Sequence, residues 1–140
     1  MPSHVHLILS TDHPDGLAPI IQSFKSYTAK QILALLHDKQ NVESRREWLP
    51  HHFAFHAKKN KTHSNFQVWK RDNHPIALYT PSVTRQKLDY IHDNPVQARI
   101  VAEAEHYLFS SASNYAEKDC LFKVTLLEDI WNDIGFVGGY

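Results

Sequence analysis

Leu17, Ile20, Ile21, Phe24, Thr28, Ile32, Leu35 and Leu36 recur at three- and four-residue spacing. Only an α-helix from about residue 16 to 37 brings that set onto one face. A stripe of this length must be covered, so the rest of the chain has to supply a partner for it. The turn residues Thr11 to Gly16 precede the stripe, and Asp15 is placed to cap the helix.

Before that turn the period changes to two. Val5, Leu7 and Leu9 alternate with His4, His6, Ile8 and Ser10, which predicts a strand with both histidines on one side and Val5 anchored in the core. A polar stretch over 40–65 contains a short amphipathic piece, Glu43 to Leu49, that Pro50 would close before a loop. Phe66 to Trp69 and Ile76 to Tyr79 read as two further short strands. Thr80 or Ser82 caps the next helix, with Pro81 in its first turn. Its end is expected near Asn94, because proline disfavours helical backbone in the residue before it. Residues 96–118 read as packed irregular chain with short helical turns, and Thr125 to Ile134 as a last amphipathic helix. The elements mix strands and helices, an α+β pattern.

With 140 residues and 42% apolar side chains the chain suits one compact domain. No run approaches the roughly 20 apolar residues of a membrane span, and the N-terminus lacks a basic signal region. No membrane partner and a cytoplasmic location are expected. Cys120 is the sole cysteine, so no internal disulfide or thiolate metal knuckle can form and any metal site must use His, Asn or carboxylates. The 15 basic and 15 acidic residues cancel only on average: residues 1–99 hold 13 basic and 8 acidic side chains, and residues 100–140 hold 2 and 7. Residues 51–71 carry Lys58, Lys59, Lys61, Lys70 and Arg71, with His51, His52, His56 and His63 among them and no acid. A polyanion suits that stretch, more so as the histidines gain charge at falling pH.

Two constellations can carry chemistry. His4 and His6, two apart on a strand, can reach one cation; equally, they can be polar residues on a half-buried strand. Tyr90 and Asn94 are neighbours on one helix face, with Leu88 and Ile91 turned inward. The amide suits a hard cation and the phenol suits a nucleophile; alternatively they are a core-edge aromatic and a helix terminus. Tyr27, Tyr79, Tyr107 and Tyr115 lack a neighbouring ligand pattern, and no GxxxxGK[ST] loop occurs.

Five segments then occur in order: Met1 to Leu9 (MPSHVHLIL), Ser23 to Thr28 (SFKSYT), Val68 to Lys70 (VWK), Tyr90 to Ala98 (YIHDNPVQA) and Tyr107 to Ala112 (YLFSSA). Together they resemble the REP-associated tyrosine transposases of the HUH single-strand transposase superfamily, over residues 1 to about 115. The resemblance implies a ferredoxin-like or RRM-like antiparallel sheet with helices on one face. It also implies a catalytic domain over 1–118, followed by a helical tail over 119–140. In that family the HUH strand follows a strand, a helix and another strand. Here it starts at residue 4, so the fold is expected to be incomplete at its N-terminus, with an open edge that a second copy could cover in a homodimer. Ser3 stands where the family commonly has Asn.

The same resemblance makes His4, His6 and Asn94 the ligands of Mg²⁺ or Mn²⁺ and Tyr90 the nucleophile. The implied reaction cuts and rejoins single-stranded DNA beside a hairpin through a 5′-phosphotyrosine. Lys25, Lys30, Lys58, Lys59, Lys61, Lys70 and Arg71 would meet phosphates, and Trp69 or Phe66 would stack on bases; equally, they form a solvated basic loop with core aromatics. A catalytically inactive remnant or domesticated DNA-binding module is the alternative. A metal-assisted hydrolase without covalent chemistry is a third reading, weakened by the lack of a further ligand at a suitable spacing.

Overall fold

A computed structural model describes residues 3–38, 40, 42–61 and 64–133. It is helical: α1 (Ala18–His37), α2 (Trp48–Lys59), α3 (Pro81–Gln97), a 3₁₀ turn (Ala104–His106), α4 (Ala112–Tyr115) and α5 (Leu127–Asp133). Two compact units divide the chain, one formed by Met1–Ile8 with Ile76–Tyr140 and the other by Leu9–Pro75.

In the Leu9–Pro75 unit the expected stripe does form α1. Leu36 is its buried member, while Ile21, Thr28 and Ile32 are half-buried. Asp15 does not cap it: Leu17 is the N-cap with no side-chain bond, and Pro19 occupies the first turn. Gly16 instead takes the left-handed conformation (φ 69°) and closes a turn by donating to the His13 carbonyl at 2.8 Å. Helix α2 replaces the loop expected after Pro50. The first N–H groups of a helix have no intrahelical acceptor, so a proline there costs no bond, and Pro50 lies in the opening turn of α2 instead of ending a helix.

The described residues do not form the expected antiparallel sheet. No residue among those described lies in a strand. A strand persists as a ladder with a neighbouring strand, and each of the three expected segments finds other partners or none. Residues 66–71 pack along helices. Gln67 donates its backbone N–H to the Phe53 carbonyl at 3.0 Å, the Trp69 indole donates to Thr28 Oγ1 at 2.9 Å, and Lys25 Nζ donates to the Lys70 carbonyl at 2.7 Å. Ile76 and Tyr79 are exposed. Residues 4–9 keep an alternation with its polarity inverted. His6 and Ile8 are half-buried, whereas Val5, Leu7 and Leu9 are 52%, 51% and 43% exposed, so Val5 anchors no core.

In the other unit α3 begins as its sequence predicts, with Thr80 Oγ1 accepting from the Val83 N–H at 3.3 Å. It does not stop at Asn94. Pro95 is buried inside the last turn, where only the Ile91 carbonyl loses its donor, and the end is closed three residues later. Arg99 turns left-handed (φ 56°) and donates to the Val96 carbonyl at 2.8 Å, while Ile100 donates to the Pro95 carbonyl at 2.9 Å. That is a Schellman closure. Thr84, Leu88 and Pro95 form the buried face of α3, with Ile91 half-buried beside them. Helix α5 docks in the same unit: Leu127 N–H donates to the Tyr115 hydroxyl at 3.1 Å, Arg85 pairs with Glu128, and the Arg85 guanidinium lies 5.5 Å from the Trp131 ring centre. Among the described residues no helix is long and apolar enough to cross a membrane.

Candidate active site

Three residues singled out in the sequence meet within one unit. The His4 and His6 ring centres lie 4.9 Å apart, edge to face, and the His6 ring stands edge-on to Tyr90 at 5.5 Å. Helix α3 positions the tyrosine. Its buried face holds the helix down, which leaves Tyr90 55% exposed and Asn94 one turn further along the same face. Residues 3–9 position the histidines without a helix or a ladder.

Ser3 Oγ lies 3.2 Å from His4 Nδ1, a contact that orients the ring and leaves its Nε2 for another partner. Sequence reasoning gave Ser3 no role, although its adjacency to His4 was the signal. His6 Nε2 is buried and has no hydrogen-bond partner among the described residues. Burial, and then the neighbouring His4 imidazole, hold the His6 pKa below the ordinary imidazole value. His6 is therefore neutral at physiological pH, with a lone pair to offer. An orphaned imidazole beside a second imidazole fits a divalent cation, and the amide of Asn94, one turn from Tyr90 on α3, belongs to the oxygen class such an ion accepts. The described residues hold no group of three His, Cys, Asp or Glu side chains suited to a metal, so the set depends on the Asn94 amide.

The other face of α3 accounts for residues that could compete. His92 Nε2 and Ser111 Oγ lie 2.9 Å apart, and the His92 ring packs against Tyr115 at 5.2 Å. Burial lowers the His92 pKa. Burial raises that of Tyr115, whose hydroxyl is already held by the Leu127 N–H, so this phenol is the poorer nucleophile.

The candidate DNA-contacting residues all fall in the other unit. Lys25, Trp69, Lys70 and Arg71 come together there, but in structural tasks. The Lys25 ammonium holds the Lys70 and Arg71 carbonyls at 2.7 and 3.3 Å, and Trp69 is half-buried against Phe24 at 5.8 Å. Phe66 is half-buried too, edge-on to His37 at 6.3 Å. The side chains of Lys30, Lys58, Lys59, Lys61, Lys70 and Arg71 are exposed, with Lys58 and Lys59 on the last turn of α2. His63 lies outside the described residues. No family model, curated protein or solved structure matches the chain.

Proposed function

We propose that this chain is a metal-dependent single-tyrosine nickase and transposase that cuts and rejoins hairpin-bearing single-stranded DNA. The observation that carries the reading is the His4–His6–Tyr90 contact series, with the orphaned His6 Nε2 inside it and Asn94 one turn from the tyrosine. His4, His6 and Asn94 would hold Mg²⁺ or Mn²⁺. When bound, the ion supplies charge neutralisation at the scissile phosphate.

The chain's own residues do the rest. Tyr90, exposed beside the histidines, attacks phosphorus through its phenol oxygen. The P–O3′ bond breaks as the O–P bond forms, so the phosphodiester is kept as a 5′-phosphotyrosine; the phenol gives its proton to solvent and the departing 3′ oxygen takes one from solvent, leaving a 3′-OH. Attack by a 3′-OH reverses the step, so no nucleotide is consumed. The exposed Lys30, Lys58, Lys59, Lys61, Lys70 and Arg71 contribute phosphate contacts that hold the strand without reading its sequence. The five ordered segments that resemble REP-associated tyrosine transposases support the assignment of roles.

Incubation with Mn²⁺ and a hairpin-bearing single strand is expected to give a covalent protein–DNA adduct. Tyr90→Phe should abolish it, and His6→Ala should abolish it with the fold retained. An adduct that survives Tyr90→Phe overturns the reading. One observation favours the second reading, a DNA-binding module without catalysis: residues 4–9 lie outside any ladder among the described residues. Salt-sensitive hairpin binding with no adduct in any divalent metal would select it.

A further inference from the structure

Helix α2 carries a second pair of histidines that the proposed reaction does not use. Trp48, His52 and His56 sit at positions i, i+4 and i+8, one above another on the helix surface. The Trp48 and His52 rings are stacked, centres 4.7 Å apart and planes 21° from parallel, and the His52 and His56 ring centres lie 4.5 Å apart. The Phe53 ring centre lies 6.4 Å from that of His52, and the Phe55 ring centre 5.5 Å from that of His56. No acid occurs between residues 48 and 61, so no carboxylate in this stretch competes for the imidazoles.

We infer that His52 and His56 form a helical two-histidine chelate for a borderline transition-metal ion of the Zn²⁺, Ni²⁺ or Cu²⁺ class. One turn of helix sets two imidazole donors side by side with the spacing fixed by the backbone, and tertiary structure need only hold α2 in place. Imidazole favours these ions over Mg²⁺ and Ca²⁺, which prefer oxygen. The indole stacked on His52 restrains that ring, which reduces the freedom lost on chelation. Water completes the coordination. The class of ion differs from the one proposed for His4, His6 and Asn94, whose set includes an amide oxygen.

The test uses the full chain with His4→Ala and His6→Ala, which silences the other histidine pair. Titration with Zn²⁺ by calorimetry is expected to show one bound ion that excess Mg²⁺ does not displace. Cu²⁺ is expected to quench tryptophan fluorescence, and Trp48→Phe should remove most of that quenching. His52→Ala and His56→Ala should each weaken Zn²⁺ binding by at least about tenfold, equivalent to ~1.4 kcal/mol. His51→Ala, one position away, should leave it unchanged, and circular dichroism confirms that α2 persists in every variant. Binding unaltered by His52→Ala and His56→Ala, or displaced by Mg²⁺, overturns the inference. The Tyr90 adduct assay on the unaltered chain is independent of either result.

Discussion

The two histidine pairs are placed by different physics. His52 and His56 lie on α2, where the intrahelical hydrogen bonds set their separation. His4 and His6 lie in a segment that makes neither helix nor strand, and their rings are ordered by one another, by Ser3 and by Tyr90. A pair spaced i and i+4 needs a single turn of helix, while a pair spaced i and i+2 needs its neighbours. Damage to backbone hydrogen bonding should therefore destroy the first pair and spare the second.

Ala54→Pro is the strongest way to break that comparison. Position 54 lies in the middle of α2, between the two chelating turns, where a proline removes an N–H donor and clashes with the preceding turn. The expected cost is about 3 kcal/mol or more. A lowered denaturation midpoint, read by circular dichroism, should accompany loss of the His52–His56 chelate. The adduct formed through Tyr90, in the other unit, should persist at temperatures where the variant stays folded. Retained Zn²⁺ binding by Ala54→Pro would show that the helix does not set the pair.

The same contrast explains how much could be read from sequence. Helical features were legible because their causes are local: the α1 stripe, the Thr80 cap and the shared face of Tyr90 and Asn94 each depend on residues within a few turns. Two prolines misled for a local reason as well. Pro50 sits in a first turn, where N–H groups have no intrahelical acceptor, and Pro95 sits in a last turn, where its missing N–H costs only the single bond to the Ile91 carbonyl. The strands were illegible in principle. Alternation at Val5, Leu7 and Leu9 says that two faces differ but not that a partner strand exists or which face turns inward, and here the imidazole of His6 is the half-buried one. The contact of His6 with Tyr90 spans more than eighty residues, and no spacing rule reaches that far. Trp69 shows the same limit, since no local spacing foretells that its ring meets Phe24 and its indole N–H meets Thr28.

A further histidine, outside both pairs, sharpens the comparison through pH. His92 is held by α3 against Ser111 and Tyr115, and burial lowers its pKa despite the opposing pull of Asp89 and Asp93. A lowered folded-state pKa means that the unfolded chain takes up the proton first. The stabilising contribution is therefore complete above the ordinary imidazole value near ~6.5 and is lost as pH falls towards the folded-state pKa. His6, also lowered, adds a contribution of the same sign. His92→Gln keeps a polar group within reach of Ser111 but does not titrate. Urea denaturation of this variant should show a smaller loss of stability than the parent between neutral pH and about pH 5. Equal losses in the two proteins would mean that His92 titrates as it does in solution.

The smallest expected effect is the most discriminating, because it tests the absence of a ladder around His4 and His6. Leu7 lies one residue beyond His6, is 51% exposed and belongs to no strand. In a paired strand, a proline there would remove a rung and destabilise the sheet. In an unpaired segment it removes nothing, and the restriction it places on His6 favours extended backbone, which residues outside a helix readily adopt. Leu7→Pro should therefore shift stability by no more than about 0.5 kcal/mol, the usual range for an exposed position. A loss of the size expected for Ala54→Pro would place the Leu7 N–H in a ladder. Concentration-dependent unfolding would then assign the partner strand to a second copy, and concentration-independent unfolding would assign it to the same chain.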